Sequence, residues 1–374
     1  MTPNLILLAV PAFFVFIGVE LWLSRRRGRR DYRFSDAIAN LSCGVGQQAI
    51  VALVSAGVFV YVLLFERAAL VRLSPSSPAV WLACFAAVDF CYYWAHRASH
   101  EVGFLWAAHE VHHQSEDYNL SVALRQSWLQ RAFFWPFYWP LALLGFPPVV
   151  LLTTYSLNTL YQFWIHTRLV GRLGVLERVL NTPSHHRVHH GVDAEYLDKN
   201  YGGVLIVWDR LFGSFRQEEA PPRYGVVKPL RSFNAVRANL DPWRRLWRMA
   251  AAEPRLRGKL LVYLRPPGFR SEASPPEPGP LRTDPGYVVY GPERPLGSRA
   301  GAAALFLAAL IGALVLLHHA PELTPLPLWA GAVAIVAALT AAGALLDGRT
   351  APAPAPGLAL ARGEAPAAPL DRAL

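Results

Sequence analysis

Long apolar runs constrain the fold of this chain more than any other sequence feature. The 374 residues are 53% hydrophobic and only 17% charged, whereas soluble domains carry about 25% charged residues. A helix needs about 20 apolar residues to cross the hydrocarbon core of a bilayer. Runs of this kind occupy residues 4–23, 38–64, 78–95, 132–165, 300–317 and 327–346. The sequence therefore predicts an all-α, polytopic membrane helical bundle, with a hairpin where Pro147-Pro148 interrupts the fourth run.

Basic residues predict the orientation of this bundle. The first apolar run is followed by an arginine cluster at 25–30, the reverse of the order in a cleavable signal, so we expect a retained span. Because cytoplasmic loops are rich in Lys and Arg, the end of this span, His96 and residues 167–299 are predicted to be cytoplasmic. The net charge of +10 fits the same bias. No nucleic-acid-binding motif accompanies the charge, so no nucleic-acid partner is expected.

Composition divides the chain into five predicted segments. They are a first span with its basic stop (1–34), a catalytic domain (35–220), a basic cytoplasmic segment with a Pro-rich linker at 268–298 (221–299), two C-terminal spans (300–346) and an Ala-Pro tail (347–374). The tail has little to bury and is expected to be disordered. Cys43, Cys84 and Cys91 lie in apolar segments without CxxC spacing, and are interpreted as small buried side chains.

Ten of the twelve histidines lie in four places along the chain. These are His96 and His100; His109, His112 and His113; His166; and His185, His186, His189 and His190. Residues three and four apart share one face of a helix, so each cluster can direct several imidazoles at one point. One metal ion takes about four to six ligands, and neutral imidazole suits Fe, Zn and Cu. Ten histidines exceed what one ion can bind, so they predict a site for two metal ions on the cytoplasmic side. His318 and His319 fall on the opposite side and are interpreted as interfacial residues.

The ligand types favour an oxygenase over other metal proteins. Two adjacent iron ions can bind O₂ and attack an unactivated C–H bond, and the absence of cysteine ligands distinguishes such a site from iron–sulfur centres. An alternative comes from the segment HEVHH at 109–113, which matches the HExxH motif of zinc hydrolases with Glu110 as general base. A zinc hydrolase needs about three protein ligands, which would leave most of the histidines unexplained, so this alternative is less favoured.

Three segments, at 92–127, 162–167 and 182–215, resemble the fatty acid hydroxylase and sterol desaturase superfamily through HxxxH, HxxHH and HxxHH motifs. The resemblance implies a ligand set of His96, His100, His109, His112, His113, His166, His186, His189 and His190. It leaves two roles open for His185: a tenth metal ligand, or a residue that contacts a ligand and not the metal. Glu101 matches an acidic residue of the family's active site, and Asn119 matches a position near the metals.

The resemblance also implies a function. The flanking sequence is most similar to the branch that cleaves the ether bond of alkylglycerols, which implies a membrane monooxygenase with two Fe ions, O₂ as co-substrate and a lipid substrate. Electrons would come from tetrahydrobiopterin or from a separate redox protein. A hydroxylase or desaturase acting on a fatty acyl or sterol chain is the alternative within the superfamily. The Ala-, Pro-, Gly- and Arg-rich composition suggests a bacterial inner membrane; a eukaryotic version would lie in the endoplasmic reticulum.

Overall fold

A computed structural model describes residues 5–51, 56–275, 279–320 and 322–347. These residues form α-helices and two short 3₁₀ helices, Val122–Leu124 and Gly174–Arg178, and contain no β-strand. The helices are α1 (Leu5–Arg26), α2 (Phe34–Val51), α3 (Ala56–Ala68), α4 (Pro78–Glu101), α5 (Gly103–His113), α6 (Gln130–Leu143), α7 (Pro148–Trp164), α8 (Pro183–His189), α9 (Val207–Leu211), α10 (Ala235–Ala252), α11 (Leu256–Leu264), α12 (Leu296–His319) and α13 (Pro325–Asp347). The predicted all-α class is confirmed. Apart from Asp347, the predicted tail lies outside the described residues.

Among the described residues, four helices are long and apolar enough to cross a membrane by length and composition. They are Leu8–Arg26, Pro78–Glu101, Leu296–His319 and Pro325–Asp347, which correspond to the predicted first, third and last two spans. The predicted hairpin consists of α6 and α7, with 14 and 17 residues. At 1.5 Å per residue they are about 21 and 26 Å long, shorter than the roughly 30 Å hydrocarbon core. The predicted span at 38–64 is shared between α2 and α3.

Two packed groups of helices surround the region of the histidines. The first contains α3, α4, α6 and α7, whose buried side chains include Tyr61, Tyr138 and Leu151. In the second, α12 and α13 pack against each other and against α2 through small residues such as Ala49 and Ala313. Small side chains allow membrane helices to approach closely. The histidine-bearing ends of α4 and α7 are thereby held next to α5.

In the predicted linker at 268–298, the described residues before α12 form no helix, and they contact the domain that carries the histidines. Glu116 accepts a hydrogen bond from the backbone N of Tyr290 at 2.7 Å and from the hydroxyl of Tyr287. The Arg282 Nε atom donates to the backbone oxygen of Tyr224 at 2.9 Å. Glu116 therefore attaches the described part of this segment to the domain that carries the histidines, and Arg282 attaches it to the chain just after that domain.

Candidate metal centre

Nine of the ten candidate histidines come together in two buried groups. One group consists of His96, His100, His109, His113 and His189, and the other of His112, His166, His186 and His190. Within each group the ligand nitrogens all lie within 4.8 Å of one another. We refer to them as the five-histidine group and the four-histidine group. The helices α4, α5 and α8 supply seven of the nine side chains; His166 follows α7 by two positions, and His190 directly follows α8.

The two groups share helices. Helix α5 gives His109 and His113 to the five-histidine group and His112 to the other. His189 of α8 belongs to the five-histidine group, whereas His186, from the same helix, belongs to the four-histidine group. Because positions four apart lie on one face of a helix, a short HxxHH sequence can serve two neighbouring ions.

The Nε2 atoms within each group face one another at short distances. In the five-histidine group, His109 Nε2 lies 3.1 Å from the Nε2 atoms of both His96 and His113. In the four-histidine group, His166 Nε2 lies 3.0 Å from that of His186 and 3.3 Å from that of His112. Two nitrogens bound to one ion at about 2.0–2.1 Å and at right angles are themselves about 3 Å apart. The spacing therefore fits imidazoles arranged around a common ion.

Backbone oxygens orient several of these rings. The Nδ1 atom lies within hydrogen-bond distance of a carbonyl oxygen in four pairs: His96 and Tyr201 (2.8 Å), His112 and Arg125 (3.0 Å), His166 and Gln162 (2.7 Å), and His189 and Lys199 (2.9 Å). A carbonyl can only accept, so it selects the tautomer with hydrogen on Nδ1. The Nε2 lone pair is then available to a metal ion, as in most histidine metal sites.

Several ring nitrogens have no partner within the described residues although they are buried. These include the Nε2 atoms of His100, His189 and His190. A buried polar atom without a hydrogen bond is costly, and a metal ion would satisfy all three. Burial also lowers the pKa of His112 to about 4 and, together with neighbouring histidines, that of His113 and His190 well below the usual value. Neutral nitrogen donors fit a divalent transition metal such as iron.

His185 lies apart from both groups. Its ring contacts Phe215, with centroids 5.3 Å apart, and its backbone oxygen accepts a hydrogen bond from Asn200. At 100° per residue, its side chain is about 90° from the mean direction of the other three histidines of its cluster. The structure thus does not bring His185 together with the other nine, and its role stays a prediction.

Glu101 and Asn119 also lie outside the two groups. Glu101 ends α4 directly after His100, is about half exposed and forms an ion pair with Arg97 at 2.8 Å. Asn119 is buried, and its amide donates to the backbone oxygen of Asp31 at 2.7 Å. Neither predicted role is tested by this placement.

The residues invoked for a zinc hydrolase are separated in the structure. Glu110 forms an ion pair with Arg245 of α10 and is absent from the histidine groups. The general base required by an HExxH hydrolase is therefore engaged elsewhere, and this alternative is not favoured. His319 lies at the exposed end of α12, 3.4 Å from Glu322, as its interfacial interpretation requires.

Asp89, a functional residue that sequence reasoning missed, supports the site from within α4. Its carboxylate accepts hydrogen bonds from the backbone N atoms of Val204 and Leu205, at 2.7 and 3.1 Å, and from side chains of Asn158 and Trp208. A signal was available, because a lone acid inside an apolar span is usually functional or structurally paired. Asp89 anchors the loop that supplies the Tyr201 oxygen to His96.

A cavity of about 180 Å³ borders both histidine groups. His109, from the five-histidine group, and His112 and His166, from the four-histidine group, line it. The rest of its lining comes from α1, α2, α4, α6, α7, α12 and the segment before α6. An apolar molecule bound there would contact residues of both groups.

Comparisons with known proteins identify the family. A model of the fatty acid hydroxylase family matches residues 81–214, which contain all nine grouped histidines. The chain is 41% identical over 268 residues to an alkylglycerol monooxygenase from Xenopus tropicalis and 42% identical over 269 residues to one from Homo sapiens; each match covers 71% of this chain. An ornithine lipid hydroxylase from Rhizobium tropici is 30% identical over 165 residues, covering 39% of this chain and 45% of its own.

The chain spans 60% of the length of the two alkylglycerol monooxygenases. No solved structure is significantly similar to it. The matched region coincides with the helices that supply the two histidine groups, so sequence and geometry identify the same domain. The chain therefore carries, at residues 81–214, a domain of the fatty acid hydroxylase family.

Proposed function

We propose that this protein is a membrane di-iron monooxygenase that hydroxylates the alkyl chain of an ether lipid at the carbon next to the ether oxygen. The observation that carries the proposal is the cavity bordered by both all-histidine groups. The identity of about 41% to alkylglycerol monooxygenases supports the choice of substrate. All nine grouped histidines are proposed as ligands.

The proposed reaction balances with one O₂ and a two-electron donor. Bound iron would supply the activation of O₂. One oxygen atom enters a C–H bond of the CH₂ group beside the ether oxygen, and the other leaves as water with two electrons and two protons. The hydroxylated product is a hemiacetal, whose C–O bond breaks to give an aldehyde and a glycerol derivative. Tetrahydrobiopterin is the proposed donor, with a redox protein as the alternative.

The protein's own residues bind and position the reactants. Phe13, Phe134 and Phe163 line the cavity and would exclude water from the reacting carbon. Gln130 Oε1 lies 3.1 Å from His109 Nδ1 and holds this ring at the cavity. Glu101, at the solvent-exposed end of α4, is proposed to pass protons inward beside His100. Asn119 is proposed to act as a positioning residue through the Asp31 backbone.

The site is proposed to face the cytoplasm. An ion pair of 3.1 Å joins Asp31, just after the arginine cluster at the end of α1, to Arg168, two residues after His166. The positive-inside rule assigns that cluster to the cytoplasm, and the ion pair places the ligand-bearing end of α7 beside it. A bacterial inner membrane is the proposed location, or the endoplasmic reticulum in a eukaryote.

Metal analysis and one assay test the proposal. Purified protein is expected to bind about two iron ions per chain and to release a fatty aldehyde from a 1-O-alkylglycerol when tetrahydrobiopterin and O₂ are supplied. The variant His189→Ala is expected to lose bound iron and activity. A single bound zinc would contradict the oxygenase. Iron-loaded protein that releases no aldehyde with either donor would favour a fatty acyl or sterol hydroxylase or desaturase instead.

A further inference from the structure

The cavity beside the histidine groups has one apolar side. Val10 and Phe13 of α1, Leu160 of α7 and Leu314 of α12 contribute to it. Leu314 is 40% exposed, so this side of the cavity reaches the outer surface of the helix bundle. An alkyl chain bound there could extend between α1 and α12 into the surrounding lipid.

The cavity also has polar lining residues on α2, in the segment before α6 and at the start of α6. They include Gln48, Gln126, Gln130 and Arg131, all partly buried. Carboxamides offer both donors and acceptors, and a guanidinium offers five donors. The cavity is thus amphipathic, as a binding site for a lipid with a polar head group would be.

Arg131 is the feature that makes this polar surface selective. Within the part of the chain that the structure describes, the cavity lining includes no aspartate or glutamate, and Arg131 forms no ion pair with a carboxylate. By contrast, the buried Arg125 donates to Val111, Asn40 and Gln114. A cation beside an apolar cavity is costly without a counter-charge. An arginine fork matches the oxygens of a phosphate.

The position of Arg131 relates the head group to the reacting carbon. Arg131 directly follows Gln130, whose Oε1 lies 3.1 Å from Nδ1 of His109. A head group held by Arg131 would leave the first carbons of its alkyl chain beside the histidines. We propose that Arg131, with the neighbouring glutamines, binds the phosphate of an ether lipid, so that the preferred substrate is a phosphate-bearing alkylglycerol. This inference rests on the proposed function.

Paired substrates with the same alkyl chain test the inference. Turnover of a 1-O-alkylglycerol and of its 3-phosphate is measured with wild type, Arg131→Gln and Arg131→Lys. Wild type is expected to show the lower KM for the phosphate lipid. Arg131→Gln is expected to raise that KM at least tenfold while changing KM for the neutral lipid less than twofold, and Arg131→Lys to retain part of the preference. Arg248→Gln, on the exposed face of α10, is the matched control and is expected to match wild type.

Other outcomes overturn the inference. Equal loss of both activities in Arg131→Gln and Arg131→Lys would assign Arg131 a structural role, and unchanged KM values would remove it from the site. Inhibition of neutral-lipid turnover by millimolar inorganic phosphate, in wild type but not in Arg131→Gln, together with equal KM values of wild type for the two lipids, would assign the site to the free ion. If iron-loaded wild type oxidises neither lipid, the proposed function fails. Binding of the phosphate lipid to iron-free protein, followed by tryptophan fluorescence, then still decides the inference: weaker binding to Arg131→Gln supports it and equal binding overturns it.

Discussion

The Nδ1 atom of His96 lies 2.8 Å from the backbone oxygen of Tyr201, a residue 105 positions further along the chain. Asp209 fixes this oxygen, because its carboxylate accepts hydrogen bonds from the backbone N atoms of Tyr201 and Gly202, both at 2.7 Å. The direction of a proposed ligand in α4 is thus set by an aspartate that is not itself in either histidine group.

Replacing Asp209 with Asn is expected to weaken iron binding about 10- to 100-fold, the usual effect of losing a residue that orients a ligand. In wild type, each of the two backbone N–H groups donates to one oxygen of the Asp209 carboxylate. Asparagine has only one such oxygen, so its NH₂ group would face the other N–H group and repel it. Titration with ferrous ion measures the affinity. Asp241→Asn, on the surface of α10, is the control. Unchanged iron affinity in Asp209→Asn would contradict the conclusion that Asp209 orients His96 through the Tyr201 backbone.

The neighbouring residues His185 and His186 provide a matched pair of substitutions. His186→Gln removes a member of the four-histidine group and is expected to reduce bound iron from about two ions per chain to one or fewer. His185→Gln is expected to keep about two, because His185 lies in neither group. Elemental analysis distinguishes them. Loss of iron from His185→Gln would restore His185 as a tenth ligand.

The sequence predicted which histidines come together better than it predicted how they divide into two groups. Spacing within the clusters follows from helical geometry and predicted eight of the nine grouped histidines without a structure. The ninth, His166, stands alone in the sequence and was indicated as a ligand by the family resemblance. Their division into groups could not be predicted, since His166 meets His112 and His186 through the packing of α5, α7 and α8. The oxygens that orient the rings belong to the backbone, so no residue type in the sequence indicates where they are.

The two partners of the ion pair between Glu110 and Arg245 are expected to differ in their effect on stability. Glu110 is 3% exposed, so Arg245→Leu would remove a positive charge from beside a buried carboxylate, at a cost of about 3–5 kcal/mol in unfolding free energy. Glu110→Gln leaves an arginine whose side chain is 25% exposed and can be hydrated, which should cost about 1 kcal/mol. Thermal unfolding in detergent compares them. Equal losses of stability, or loss of iron from Glu110→Gln, would contradict this asymmetry.

Asp89→Asn is expected to destabilise the protein by about 1.5–3 kcal/mol of unfolding free energy, the range for hydrogen bonds to a charged group. Four donors converge on this carboxylate, and the new amide would oppose at least one of them. Its unfolding temperature can be compared with that of Glu66→Gln, a change at an exposed residue of α3. A temperature equal to that of the control would show that the loop at 203–208 does not depend on Asp89.

Prediction of the fold succeeded where local composition decides it and was less complete where packing does. Apolar length alone identified α1, α4, α12 and α13 as candidate spans. The predicted hairpin is present as α6 and α7, but the apolar run alone does not show that each of its helices is shorter than the hydrocarbon core. Their lengths become clear only when the turn around Gly145, with φ of +86°, is seen.

Because α5 contributes to both histidine groups and α8 with its following residue does the same, we expect ion binding at one proposed site to favour binding at the other. The first ion to bind would order both helices and lower the entropic cost of arranging the second group, which gives positive cooperativity. With less iron than protein, chains carrying two ions and chains carrying none should therefore outnumber those carrying one. A half-loaded enzyme, able to bind O₂ at a lone ion and form damaging oxidants, would then be a rare species.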